Sequence, residues 1–142
     1  MLHANNSPVT HAIIGAMIEV HKAMGKGYRE AVYQRCLEME FQDRGIPNSR
    51  EVPIPIHYKG RHIGKAYSAD FVCFGRILVE LKCQQSVGEV EAAQVIHYLK
   101  GTGLQIALLA NFGEPTLGLQ RFVGESARES LNVSGASVAR PA

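Results

Sequence analysis

The chain has 142 residues, 46% of them hydrophobic, which allows one packed core and leaves no room for a second domain. Lysine and arginine total 15 against 13 acids, a net charge of +2 that permits a nucleic-acid partner without requiring one. Cys36, Cys73 and Cys83 are odd in number and form no C-x-x-C pair, which argues against a disulfide framework or a zinc knuckle and for a reducing, cytoplasmic compartment. No apolar run reaches membrane-spanning length and the amino terminus lacks a signal-peptide pattern, so no membrane partner is expected.

Ile13, Ile14, Met17, Ile18 and Val20 recur at helical spacing and predict a helix over Thr10 to Met24, capped by Thr10 and ended by Gly25 and Gly27. Its amphipathic face could pair with a copy of itself, giving a homodimer. A second helix is expected from Arg29 to Arg44, with Val32, Cys36, Leu37 and Met39 inward and a stop at Gly45 to Pro47. The pattern then changes to strands. Glu51 to Tyr58 contains Pro53 and Pro55, which confine it to a sheet edge because proline cannot donate to a ladder. Lys59-Gly60 turns the chain, and His62 to Phe74 and Ile77 to Cys83 are two further strands reversing at Gly75.

Gly88 precedes a helix from Glu89 to Lys100, closed by Gly101 and Gly103, and Leu104 to Asn111 is a continuously apolar strand expected to be buried on both faces. A last strand follows at Leu119 to Val123. The domain therefore spans residues 1–123, and residues 124–142, rich in Ser, Ala and Arg without periodicity, are expected to be a disordered tail. The fold class is α/β, with a mixed central sheet flanked by helices.

Between Arg50 and Lys82 six cations (Arg50, Lys59, Arg61, Lys65, Arg76, Lys82) meet three acids (Glu51, Asp70, Glu80), a balance that suits either a phosphate backbone or an ordinary solvated sheet face. Within this stretch, Glu80 and Lys82 interrupt an otherwise apolar strand and, two apart, share one face of it. Buried charge needs compensation. Asp70 stands five residues before Gly75 and Glu80 five after it, so a hairpin symmetric about Gly75 sets the two carboxylates opposite each other. At ~4 Å and an effective dielectric of about 20, two like charges repel by roughly 4 kcal/mol. A hard divalent cation, Mg²⁺ or Mn²⁺, held by Asp70 and Glu80 reverses the sign of that interaction. Lys82 could then act on an attacking water or stabilise charge on phosphorus. The competing reading is a cross-strand ion pair. Gln94 and Tyr98, four apart, share a helix face. Glu30 opens the second helix, where the helix dipole alone favours a carboxylate. His57 and His62 flank the Lys59-Gly60 turn and could face each other without an evident third ligand.

Asp70 followed by Glu80-Leu81-Lys82 on the next strand resembles the signature of the PD-(D/E)xK nuclease superfamily. More narrowly, Gly27-Tyr28-Arg29-Glu30-Ala31-Val32-Tyr33 resembles the motif that names its GxxExxY family. The likeness continues through Tyr58-Lys59-Gly60, Ala69-Asp70-Phe71, Gln94 with Tyr98-Leu99-Lys100, and Asn111-Phe112-Gly113. It implies a restriction-endonuclease-like core (α-βββ-α-β) and metal-dependent hydrolysis of phosphodiester bonds in nucleic acid, with DNA ahead of RNA. Asp70, Glu80, Lys82, Gln94 and Glu30 would be catalytic, and Tyr98 and Lys100 would bind substrate. Ala69 stands where the superfamily's name suggests proline, and Glu91 where relatives often carry histidine three residues before the motif glutamine, a change that could add a ligand or remove one. The competing function is a catalytically weak or inactive module on the same fold that binds nucleic acid or protein.

Overall fold

The computed structural model describes residues 7–124; of the tail expected over 124–142, Gly124 is buried and its amide donates to the Gln105 carbonyl at 2.6 Å, and residues 125–142 lie outside the described residues. In chain order the elements are α1 (Pro8–Met24), α2 (Glu30–Asp43), β1 (Asn48–Tyr58), β2 (Arg61–Cys73), β3 (Ile77–Lys82), α3 (Glu89–Thr102), β4 (Ile106–Asn111) and β5 (Gly118–Val123). The strands form one mixed sheet in the order β1-β2-β3-β4-β5, with β3 and β4 parallel and every other neighbouring pair antiparallel. The β1–β2–β3 meander is the expected one.

Alternation along the strands divides the core into two layers. Ile77, Val79 and Leu81 of β3 and Ile106, Leu108 and Ala110 of β4 pack with Ile13, Met17, Tyr33, Leu37 and Phe41 of α1 and α2. Leu78, Ala107 and Leu109 pack on the other side with Ala92, Val95, Tyr98 and Leu99 of α3. Every residue of β4 is buried, as its unbroken apolar run requires.

Several local expectations change. Ser7, not Thr10, caps α1: its hydroxyl accepts the Thr10 amide and Pro8 opens the helix. Of the apolar stripe of α1, Ile13, Met17 and Val20 are buried in the chain's own core, Ile14 is half-buried and Ile18 is exposed. In α2 the inward residues are Tyr33, Leu37 and Phe41, while Met39 is exposed and Val32 and Cys36 are half-buried. The stripe runs one position round from the expected one because the two aromatics take the sheet-facing positions. Gly101 does not close α3 but lies within it, where a Cβ would stand 2.7 Å from the Pro55 carbonyl oxygen. Gly103, at φ 74°, makes the stop.

β1 is an edge strand whose pairing slips at Pro55, consistent with its prolines. At the end of β4, buried Asn111 acts as a clamp. Its amide donates to the Gln84 carbonyl (2.9 Å) and to Glu114 (2.7 Å), and its oxygen accepts from the Gln84 and Gly113 amides. The next amide, Phe112, donates to the Lys82 carbonyl at 2.8 Å. The end of β3 that carries Lys82 is thereby tied to the end of β4.

A Cβ on Gly113 would overlap the Gln84 backbone. Gly113→Ala should therefore destabilise the protein by about 1–3 kcal/mol. Urea unfolding of the variant beside the parent checks this, and an unchanged midpoint would refute the close approach.

Candidate active site

The hairpin between β2 and β3 turns through Phe74 (φ 56°) and Gly75 (φ 68°), closed by the Arg76 amide donating to Cys73 at 3.1 Å. The resulting register pairs Cys73 with Ile77, Val72 with Leu78 and Phe71 with Val79. One step further the pair would be Asp70 and Glu80, and there the backbone ladder ends.

Side chains take over from carbonyls at that point. The Asp70 amide donates to Glu80 Oε1 at 3.2 Å, and the Leu81 amide donates to Asp70 Oδ2 at 2.8 Å. The facing of β2 changes at the same residue: Ala69 joins the α3-side layer, whereas Phe71 and Cys73 join the α1–α2 side. β2 and β3 thus part at Asp70 and Glu80, and the gap is reached from both helical layers.

From the α2 side, Gln34 Nε2 donates to the other Asp70 oxygen, Oδ1, at 2.9 Å. Glu30, one turn before Gln34, lies near enough to feel Lys82 and Asp70. From the α3 side, Gln94 Oε1 accepts from Lys82 Nζ at 3.2 Å, while Nζ stands 4.0 Å from Glu80 Oε2. Asp70, Glu80, Lys82, Glu30 and Gln94 therefore converge on one place. Tyr98 lies close enough for the charges of Glu80 and Asp70 to bear on its hydroxyl. Lys100, in the last turn of α3, is exposed and belongs to an adjoining groove rather than to the carboxylate cluster.

Gln34 was missed. It falls four residues after Glu30, a spacing that puts both on one helix face, and that was the available signal. Glu91 accepts the Gly88 amide at 2.8 Å and so caps α3 instead of turning toward the carboxylates. His57 and His62 pair across the β1–β2 hairpin with ring centroids 5.3 Å apart.

Tyr33, last residue of the G-x-x-E-x-x-Y run, is fully buried and stacks on Phe112 at 4.7 Å. Its hydroxyl donates to the Gly25 carbonyl and accepts the Tyr28 amide at 3.3 Å. Gly27 takes φ 117° in the loop so pinned, a conformation that favours glycine. The motif fixes where α2 starts, and hence where Glu30 and Gln34 point.

Glu80 is only 6% exposed. Burial, and then the Asp70 charge, raise its carboxyl well above the usual range, against the pull of the Asp70 amide and Lys82. Burial also raises Asp70, against its hydrogen bonds from Leu81 and Gln34. Burial raises Glu30 as well, opposed by Lys82. Cys83 is pushed up to about 11 by burial and by the charges of Glu30 and Asp70, which keeps it a thiol and out of nucleophilic chemistry. Among the described residues no group of three His, Cys, Asp or Glu side chains could hold a metal ion by itself. Buried Glu80, whose ionisation the Asp70 charge opposes, and half-buried Asp70 still suit a cation such as Mg²⁺, which commonly takes one or two carboxylates and completes its shell with water and phosphate oxygens.

Fold and site together define a nuclease-type domain: a helix-flanked mixed sheet that splits to present an acid, an E-x-K strand and a helix-borne glutamine. The chain belongs to the PD-(D/E)XK nuclease superfamily, whose family model matches residues 7–122. Among solved structures the chain is similar to the crystal structure of SSO0001 (15% identity, TM-score 0.48), with 82% of this chain and 65% of that one covered. It thus spans just under two thirds of that chain's length. It is also similar to an alkaline exonuclease, LHK-Exo, from Laribacter hongkongensis (12% identity, TM-score 0.42, 88% of this chain and 87% of that one). No curated protein matches the chain significantly.

With both carboxyls raised, the folded metal-free chain holds more protons than the unfolded chain from the ordinary carboxylate range, about 4, up to the raised values. Its stability should fall as pH rises through that window. Glu80→Gln keeps an acceptor for the Asp70 amide and can donate to the Asp70 carboxylate without a second charge. In chelator and above neutral pH it should be about 1–2 kcal/mol more stable than the parent, with a flatter pH profile by urea unfolding. A variant profile as steep as the parent's would count against the charge conflict.

Proposed function

We propose that this domain hydrolyses phosphodiester bonds in nucleic acid, DNA ahead of RNA, with the aid of a divalent cation. The observation that carries the reading is the parting of β2 and β3 at Asp70 and Glu80, with Lys82 Nζ 4.0 Å from Glu80 Oε2 in the same gap. Asp70 and Glu80 would hold Mg²⁺ or Mn²⁺, and such an ion supplies charge neutralisation at a phosphoryl group and a more acidic water.

The chain's own groups account for the rest. Gln34 fixes one oxygen of Asp70 and the Leu81 amide the other, so this carboxylate cannot rotate away from the gap. Lys82 is held by Gln94 and carries a positive charge and three donors into a site that otherwise gathers carboxylates. It is placed to orient the attacking water and to stabilise negative charge on the phosphorus-bound oxygens. Glu30 approaches from the other layer and would accept a hydrogen bond from that water. Tyr98 would contact substrate beside Gln94.

Within the superfamily we assign the chain to the GxxExxY branch on the residues Gly27, Glu30 and Tyr33, whose packing couples loop, helix and site. Its free cysteines Cys36, Cys73 and Cys83 suit the cytoplasm.

Lys82→Met should abolish Mg²⁺- or Mn²⁺-dependent cleavage of a panel of labelled single- and double-stranded nucleic acids while leaving stability within about 1.5 kcal/mol of the parent, because methionine fills similar space. Asp70→Asn should weaken divalent-ion affinity measured by calorimetry as well as turnover. Undiminished cleavage by Lys82→Met would remove the lysine from the mechanism, and a parent inactive on every substrate and ion would overturn the hydrolytic reading.

A further inference from the structure

A groove of about 830 Å³ runs between α3 and the β1–β2 hairpin. It starts at the candidate active site, because Gln94, which accepts from Lys82, also lines the groove. Pro55, Ile56 and Ala93 make part of its wall apolar. Tyr67 leans over it, 49% exposed, with its ring centroid 5.8 Å from that of Tyr98. Lys100, His57, His97 and the exposed Val90 also line it, and no described residue that lines it carries a carboxylate. Gly101, which abuts the Pro55 backbone, also lines the groove.

These features select among forms of nucleic acid. A duplex keeps its base faces stacked inside and offers a wall of this kind only sugars and phosphates. A single strand offers free base faces, which stack on exposed aromatics, and a backbone that the Lys100 ammonium, in a lining with no carboxylate, attracts. We propose that this groove holds a few nucleotides of single-stranded DNA, with a base on Tyr67 and phosphates toward Lys100 and His97, and so feeds a single-stranded segment to the Asp70–Glu80–Lys82 cluster. The inference rests on the nuclease reading for what happens to the strand, but the binding it asserts needs neither metal nor turnover.

The test is fluorescence anisotropy of the full chain in chelator, at low and moderate salt, with a labelled oligothymidylate and a blunt hairpin duplex of equal nucleotide count. The single strand should bind roughly tenfold tighter than the duplex, and Tyr67→Ala should weaken it by about tenfold, as expected for loss of one stacked base. Tyr67→Phe, which keeps the ring, should restore binding to the parent level. Lys100→Glu should weaken binding several-fold and flatten its salt dependence, whereas Lys22→Glu in α1, across the sheet, should leave it unchanged. Duplex binding as tight as single-strand binding, no single-strand binding by the parent, or parental affinity in Tyr67→Ala would each overturn the proposal. The chelator separates this from catalysis. A parent that cleaves with metal but binds independently of Tyr67 loses only the groove, and one that binds through Tyr67 but never cleaves loses only the hydrolytic reading.

Discussion

Two backbone amides at the centre of the sheet lack carbonyl partners, and the carboxylates of Asp70 and Glu80 supply what the ladder withholds. The Asp70 amide takes Glu80, and the Leu81 amide takes Asp70. Each acid is thus a structural acceptor as well as a candidate ligand. Leaving such a buried amide unpaired costs about 1–3 kcal/mol, so the same contacts that hold the strand ends in place keep two like charges in mutual proximity. Burial raises both carboxyls, the Asp70 charge adds to the rise at Glu80, and Lys82 stands beside them.

The parting of the strands also decides access. Beyond Phe71 and Val79, β2 continues with β1 while β3 continues with β4. A gap opened in this way is flanked by α2 on one side and α3 on the other, which is why Gln34 and Gln94, from opposite layers, reach neighbouring groups. Rigid elements hold each arm. Tyr33 locks the start of α2, Gly101 seats α3 against β1, and the Asn111 clamp ties the end of β3 to β4. A site supported on helices and strands holds its geometry better than one carried on loops, and here the supporting groups are mostly neutral residues away from the chemistry.

Much of this was legible in the residues because it is written in local periodicity. Charges alternating within the apolar run of Ile77–Lys82, equal spacing of Asp70 and Glu80 about Gly75, and the four-residue step from Gln94 to Tyr98 all express which side chains share a face. The prolines of β1 placed it at the edge for an equally local reason, the missing donor. The order of two helices, three strands, a helix and two strands followed from the same patterns, whereas the parallel pairing of β3 with β4 came only with the structure.

What required the tertiary structure was whatever depends on contacts between distant segments. Gln34 is an unremarked polar position of a helix until α2 is laid over Asp70. Met39 fits the helical stripe as well as Phe41 does, and only packing against Phe71, with ring centroids 5.1 Å apart, decides which faces the sheet. Gly101 has the look of a helix stop, and its role as a contact with Pro55 exists only once β1 crosses α3. The groove beside Tyr67 has no counterpart in the one-dimensional pattern, because its walls come from separate elements, β1, β2 and α3. Periodicity therefore determined the elements, the facing of the strand residues and the candidate chemistry, while the meeting of separate elements determined the second layer of the site and the shape of what it can receive.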